Sequence, residues 1–390
     1  MPTRPQVSAR GVAYEVVRRV FEEDAYADRA FRSLADGLDE RDRAFAMQLA
    51  YGTVQRVRSL DHAIESLGRR PVRKLDPPVR AALRLGAYQL AFMDSVPAHA
   101  AANESVELVR AAGLERAVAF TNAVMRRLGE GIGPLLEGLS ESTPQEAALK
   151  NSYPDWVAET WWREWGEEDT LALMRAQNEP PERVLREPAG ELVAPWPQSR
   201  GSQLAGSAVG AEEGERVLDL CAAPGGKSTQ LVSFGADVVA VEKHPGRARE
   251  LEENAARLGA RLTVVNADAL ELPAELGGFD RVLVDAPCSG LGVLNSRPDL
   301  RWRARPLPEL QLDLMRAAIE RARPGGSITY SVCTIHQAEN EDVIDALALP
   351  VDDLGAEFPE FRHAKRPEFL LTLPHVHGTS GFFVARLRRP

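Results

Sequence analysis

Cysteine is nearly absent from this chain: Cys221, Cys288 and Cys333 are the only three in 390 residues. So few thiols, with no CxxC among them, exclude a disulfide framework and a cysteine-based zinc site. Lysine is almost as scarce, occurring only at Lys74, Lys150, Lys227, Lys243 and Lys365. The basic residues are otherwise arginine, and alanine is abundant. This reads as a coding bias, so a single arginine is not by itself evidence of a phosphate contact. No apolar run approaches the length needed to cross a bilayer. The opening MPTRPQVSAR lacks the apolar segment of a signal peptide, so no membrane association and a cytoplasmic location are expected. Among seven histidines only His375-Val-His377 resembles a ligand pair. It lacks the further ligands that a zinc site needs and reads as ordinary polarity, so no metal is expected.

What is present is a soluble globular composition, 44% hydrophobic and 27% charged, long enough for two or three domains. The net charge of −10 argues against a protein that coats nucleic acid with its whole surface. The charge is uneven: residues 1–140 hold 20 Lys+Arg against 18 Asp+Glu, which leaves 27 against 39 for the remainder.

Residues 5 to about 128 read as helical throughout. Val12, Val16, Val20 and Phe21 recur at helical spacing. Asp39 is placed to cap a helix through RDRAFAMQLAYGTVQRV, and Pro78 suits the first turn of another that carries Val79, Leu83 and Leu90 on one face. Gly113 and Gly129 are expected to end the fourth and fifth helices. The region 129–144, rich in Gly, Ser and Pro, reads as a linker. Residues 154–178 read as helical and carry Trp156, Trp161, Trp162 and Trp165, which suit a hydrophobic helix joint better than base stacking. From residue 215 short apolar runs (RVLDL, DVVAVE, RLTVVNA, RVLVDA, SITYSV) alternate with helix-compatible segments, and GFFVARLRR reads as a closing strand. The expected architecture is an all-α N-terminal bundle, residues 1–140; a linker with a short helical, substrate-facing subdomain, 141–200; and an α/β Rossmann-like domain with a mostly parallel, doubly wound sheet, 201–390.

Five motifs carry chemistry. VLDLCAAPGGKST (217–229) is a strand, a glycine turn and a helix start; Gly225 and Gly226 allow close backbone approach to a ligand whose anionic group meets helix N-terminal amides. It is neither GxGxxG nor a phosphate-binding loop. Glu242 follows the next strand, where an acid suits a ribose diol. Asp268 follows the strand after that, where an acid can accept from an adenine amine. Together the three point to an adenosine-type ligand. DAPCSGLGVL (285–294) and YSVCTIHQAENE (330–341) each place a cysteine just past a strand's carboxyl end. If those strands are neighbours, about 4.8 Å apart, both thiols face one crevice.

CAAPGGK, DAPCSG and SVCT…ENE, in this order and spacing, resemble the RNA 5-cytosine methyltransferases of the NOL1/NOP2/Sun class. AFAMQLAYGTV, LDHAI, LRLGAYQLAF, PAHAAANESVELVR and FTNAVMRRL are similar to the antitermination factor NusB, and SRPDLRW (296–302) and GFFVARL also match. The resemblance covers nearly the whole chain. It implies S-adenosylmethionine as cofactor, held by Cys221, Ala222, Ala223, Pro224, Gly225, Gly226, Lys227, Glu242, Asp268 and Asp285, with Arg247 assigned to the same site. It implies RNA, small-subunit ribosomal RNA foremost, as partner, with no DNA and a monomeric state expected. It makes Cys333 the nucleophile and Cys288 the residue that assists release, with Asp285 holding the base; Cys221 is then more structural than reactive. The chain departs from the family pattern at Glu242 (Asp is more usual), at Val332 (Thr is more usual) and at LREP (185–188) in place of LRVN. Only some 28 residues separate LREP from VLDL, which implies a reduced substrate-facing subdomain.

Carbon 5 of cytosine is a poor nucleophile. A thiolate added to carbon 6 turns the ring into an enamine, whose carbon 5 can attack an electrophilic methyl group. Pro287-Cys288 imitates the Pro-Cys nucleophile of DNA cytosine methyltransferases, but Cys333 in the next strand-end motif favours the two-cysteine RNA pattern. Two other readings are the same chemistry on transfer RNA or DNA, and a NusB-like RNA-binding factor with an inactive methyltransferase body. The intact CAAPGGK and the paired strand-end cysteines speak against the second.

Overall fold

The computed structural model describes residues 8–390; the opening segment read above for a signal peptide lies largely outside them. The chain divides into two compact units, the first running through Asn178 and including Leu294–Arg303, the second made of Glu179–Val293 and Ala304–Pro390.

The first unit is helical. Its elements are α1 (Ala9–Glu22), α2 (Ala27–Leu34), α3 (Glu40–Gly68), α4 (Pro77–Phe92), α5 (Ala98–Ala111), α6 (Glu115–Glu137), α7 (Pro144–Asn151) and α8 (Asp155–Ala176); the later segment adds a short helix, α12 in chain order (Leu300–Arg303). Ser8 and Asp39 cap α1 and α3 through their side-chain oxygens, as their residue types favour. Val12, Val16 and Val20 form the buried stripe of α1. Helix α3 touches α4 closely at Gly52, where a Cβ would stand 2.1 Å from Tyr88 Cζ. Helix α6 does not stop at Gly129; it continues through the expected linker to Glu137, with Pro134 inside its last turns. A glycine in a helix costs about 1 kcal/mol, and burial of Ile132 with packing of Leu135 and Leu136 on the bundle core offsets it. On α8 Trp161 is fully buried, edge-on to Tyr153 at 5.4 Å. Gly166, at φ 81° and ψ 178°, kinks that helix.

Arg301, from SRPDLRW, is wholly buried in this unit. It donates to Asn178 Oδ1 (2.9 Å), Ser152 O (3.0 Å), Tyr153 Oη (3.1 Å), Gln55 O (3.2 Å) and Gln177 O (3.3 Å), and lies 3.8 Å over the Tyr153 ring. Trp302 beside it donates to Val54 O at 2.7 Å. A motif that lies between two strands of the sheet thus completes the helical unit.

The second unit opens with a two-stranded ribbon, β1 (Leu185–Arg186) against β2 (Trp196–Pro197), and α9 (Arg200–Ser207). Then follow β3 (Arg216–Asp219), α10 (Gly226–Ser233), β4 (Asp237–Val241), α11 (Pro245–Leu258), β5 (Thr263–Val265), β6 (Phe279–Asp285), α13 (Pro308–Arg321), β7 (Ala322–Val332), α14 (Glu341–Asp345), α15 (Leu354–Glu357), β8 (Leu370–Thr372), α16 (Pro374–His377) and β9 (Phe382–Arg388). The seven-stranded sheet has the order β5-β4-β3-β6-β7-β9-β8, parallel from β5 to β7 and antiparallel at β9 and β8. The chain winds outward one way from β3 and then the other way from β6, so the β3/β6 junction is the switch point where such sheets bind ligands. Helices α10 and α11 pack along β4 and β5, and α13 along β6 and β7.

Candidate active site

The parallel strands are short apolar runs, and each is followed at its carboxyl end by a polar residue that the sequence had marked: Cys221 after β3, Glu242 after β4, Asp268 after β5, Asp285 closing β6 and Cys333 after β7. Sheet pairing therefore lines them along one edge.

The glycine turn is built tightly. Gly225 has φ +106°, and a Cβ there would stand 2.6 Å from Leu251 Cδ1. The carboxyl of Asp219 is buried beneath the turn, accepting from Ser228 Oγ at 2.7 Å and from the Cys221 N–H at 3.4 Å. Burial, with the nearby charge of Asp285 adding, pushes this acid up to about 6. Burial also pushes the Cys221 thiol far above its usual range, which fits a structural cysteine. Arg186 anchors the ribbon to the turn: it donates to Gly226 O (2.5 Å), Gln198 Oε1 (3.0 Å) and Thr229 Oγ1 (2.9 Å). No carboxylate is among these partners, and burial lowers its pKa to about 10. Sequence reasoning passed over Asp219 and Arg186, because one reads as a strand-end polar residue and the other as one arginine among many.

Glu242 is buried; its Oε1 accepts from the His244 N–H at 2.8 Å, while Oε2 is 3.5 Å from Arg247. Arg247 in turn donates to Ala223 O at 2.7 Å, so it ties the acid to the glycine turn. Asp268 accepts from the Leu270 N–H and pairs with Lys243 at 2.6 Å; the Lys243 hydrogen bond holds its carboxyl below the usual range.

Asp285 joins the glycine turn to β7. Its Oδ2 is 2.7 Å from Lys227 Nζ and its Oδ1 accepts from Ser331 Oγ at 3.1 Å. Lys227 is itself largely buried, 4.9 Å over the Phe382 ring. Strands β6 and β7 pair with Asp285 opposite Ser331, so Cys288 and Cys333 emerge side by side, Sγ to Sγ 3.4 Å. The hydrogen bond to Cys333, then burial, then the charges of Cys333 and Glu339 hold the Cys288 thiol well above its usual range. Glu339 is a further residue that sequence reasoning did not assign: wholly buried, it binds the loop that carries Cys288. Its place in the ENE run was the available signal. The two C-terminal histidines lie on α16, where His377 Nδ1 accepts from the Leu373 N–H at 2.9 Å. Among the described residues no helix is long and apolar enough to cross a membrane.

A doubly wound sheet with a glycine turn after its first strand, and acids after the next two, defines the second unit as a methyltransferase-type α/β domain. The solved structure of PH0851 matches over 99% of each chain with a TM-score of 0.77 at 23% identity, and a methyltransferase homologue from Pyrococcus horikoshii matches 64% of this chain with a TM-score of 0.54 at 23% identity; both speak to the fold alone. The family model for 16S rRNA methyltransferase RsmB/F matches residues 207–388, and that for the NusB family matches 7–130. A probable ribosomal RNA small subunit methyltransferase B from Synechocystis is 32% identical, covering 98% of this chain and all of the relative; ribosomal RNA small subunit methyltransferase B of Thermus thermophilus is 34% identical over 93% and 92%. The chain belongs to the RsmB/F family of ribosomal RNA methyltransferases, with a NusB-family domain at its N-terminal side. The Synechocystis alignment runs over 449 positions while this chain has 390 residues, so at least 59 of them face gaps here. From LREP, whose first two residues form β1, to β3 this chain builds only the β1–β2 ribbon and α9.

Proposed function

We propose that this protein transfers a methyl group from S-adenosylmethionine to carbon 5 of a cytosine in small-subunit ribosomal RNA, in the cytoplasm, with Cys333 as nucleophile. The observation that carries the reading is the pair of thiols 3.4 Å apart, beside an aspartate bound to the lysine of the glycine turn. The cofactor fits the residues present. The helix α10 that starts at Gly226 offers its N-terminal backbone amides to the carboxylate of the methionine part. The Glu242 carboxylate suits the ribose diol and Asp268 the adenine amine. When bound there, S-adenosylmethionine supplies an electrophilic methyl carbon.

The protein's own groups do the rest. Asp285, paired with Lys227 and oriented by Ser331, accepts from the cytosine amine and fixes the ring over Cys333. The Cys333 thiol gives up its proton to solvent and its sulfur bonds to carbon 6, which sends the ring's electron pair to carbon 5; carbon 5 would then bond to the methyl carbon as that carbon's bond to the sulfonium sulfur breaks, leaving a neutral thioether. The carbon-5 proton then passes to water, the sulfur–carbon bond breaks, and the departing Cys333 thiolate takes a proton from the Cys288 thiol beside it. Cys288 is reprotonated from solvent.

The test is a denaturing gel of protein incubated with radiolabelled S-adenosylmethionine and RNA from a strain lacking the gene. Cys333→Ala is expected to abolish transfer, and Cys288→Ala to leave protein linked to RNA. A linked species in the Cys333 variant, and none in the Cys288 variant, overturns the assignment. Bisulfite sequencing of the same RNA identifies the cytosine.

The helical unit is proposed to bind RNA. Arg69, Arg70, Arg73 and Lys74 are exposed around the turn after α3, and Arg70 and Arg116 line a pocket with Phe120. Binding by the full chain should weaken steeply as salt rises.

A further inference from the structure

We propose that Glu339 is the positioning residue that sets Cys288 against Cys333 for release of the methylated base, a role that rests on the reading of Cys333 as nucleophile. Its carboxylate is wholly buried. All the partners that the structure gives it are neutral donors: the Ser289 N–H at 3.0 Å, the Ser289 hydroxyl, the Leu307 N–H at 3.0 Å and Gln311 Nε2 at 3.0 Å. Gln311 Nε2 also donates to Pro287 O at 2.9 Å. Cys288 is therefore gripped on both sides, through Pro287 and through Ser289, by one carboxylate and one amide.

The same carboxylate belongs to the loop that begins at Cys333. Tyr330 Oη on β7 donates to Glu339 O at 2.6 Å and pins that backbone to the strand. Ser289 Oγ meets Thr334 Oγ1 at 2.9 Å, and the Gly292 N–H donates to Cys333 O at 3.0 Å. Besides the contact of the two thiols, the cysteine loops are thus joined at three places, and Glu339 makes the most bonds between them.

A peg alone would not need a charge. A buried carboxylate without a cation is costly, and a glutamine could accept most of these bonds at lower cost. The carboxylate has a use here, because beside Cys288 it favours return of a proton to that sulfur after each release and so restores the thiol for the next turnover. A neutral Cys288 thiol aimed at Cys333 is the form that can hand a proton to the departing sulfur. Release then proceeds as written above, with the sulfur–carbon bond of the adduct breaking as Cys333 gains the Cys288 proton.

The experiment compares wild type, Glu339→Gln, Cys288→Ala and Gln311→Ala in the full chain, with radiolabelled S-adenosylmethionine and RNA from the deletion strain. For Glu339→Gln turnover should fall about 100-fold, the lower range for a proton-transfer step. Affinity for S-adenosylmethionine should stay unchanged, and RNA-linked protein should accumulate as in Cys288→Ala. Release at the wild-type rate, while Cys288→Ala accumulates the linked species, overturns the proposal. A second readout needs no turnover: iodoacetamide alkylation of Cys288 against pH in a Cys333→Ala background. Glu339→Gln should lower the midpoint, whereas Gln311→Ala, which loosens the loop but keeps the charge, should not; equal shifts reduce Glu339 to a structural peg and overturn the proposal. If Glu339→Gln does not fold, Ser289→Ala must accumulate the linked species, and its normal release overturns the proposal instead. Absence of a linked species in Cys288→Ala, with activity retained in Cys333→Ala, sinks the reading of the two cysteines, while the alkylation arm still decides whether Glu339 acts on Cys288.

Discussion

Replacing Asp219 by asparagine should stabilise the sheet at alkaline pH and not in acid. The Asp219 carboxyl ends β3 beneath the glycine turn, 1% exposed, and burial raises it from 3.8 to about 6. An acid whose folded pKa is raised binds its proton more tightly in the folded chain. Its contribution is therefore favourable below the unfolded value and is lost as pH rises through about 6. At pH 8 the ionised group costs about 3 kcal/mol, at about 1.36 kcal/mol per pH unit of displacement. Asparagine keeps the shape but offers one acceptor oxygen where Ser228 Oγ and the Cys221 N–H now use two, a loss of about 1 kcal/mol. The net gain at pH 8 is about 2 kcal/mol, or about 30-fold slower hydrogen exchange in peptides that cover Arg216–Asp219. Near pH 4 the gain should vanish and the lost acceptor should dominate. Exchange is compared between variant and wild type at each pH, so the intrinsic pH dependence cancels. Equal slowing at both pH values, or none at pH 8, would refute the burial argument.

Arg186→Met should weaken S-adenosylmethionine binding about tenfold or more in calorimetry, because it removes three charge-assisted bonds that brace the glycine turn, each worth about 1.5–3 kcal/mol when formed to a charged donor; unchanged affinity would show that the ribbon does not brace the turn. Arg301→Met should destabilise the helical unit by about 3 kcal/mol or more in urea unfolding, since it removes the guanidinium that bridges Gln55, Ser152, Gln177 and Asn178 in the core of that unit and leaves Ser152 O without its donor. Arg301→Lys should not rescue it, as an ammonium cannot span that fork of acceptors, and full rescue would contradict the account.

Much of the site was legible because it is local. A glycine turn after a strand, an acid after each of the next two strands and a cysteine after each of two more are patterns of neighbours in sequence. Strand alternation with helices then places every strand's carboxyl end on one edge. The buried faces of α1 and α4 were legible for the same reason, through helical spacing. Gly129 misled, since a local helix-breaking signal was outweighed by the packing of Ile132, Leu135 and Leu136 on a core assembled from distant segments.

The sequence by itself determined which residues stand at strand ends, and hence which groups could reach a ligand. Only the tertiary structure decided their pairings. Register between β6 and β7 set the two thiols 3.4 Å apart, the pairing of β3 with β6 brought Lys227 to Asp285 across 58 residues, and Glu339 was enclosed among neutral donors from the Cys288 loop and the start of α13. It also placed Arg301 of SRPDLRW in the helical unit, among partners as far as 246 residues away. The physical reason is that burial and hydrogen-bond satisfaction depend on which distant segments share a volume. A side chain's charge state and its partners follow from that enclosure, and composition and spacing do not record it.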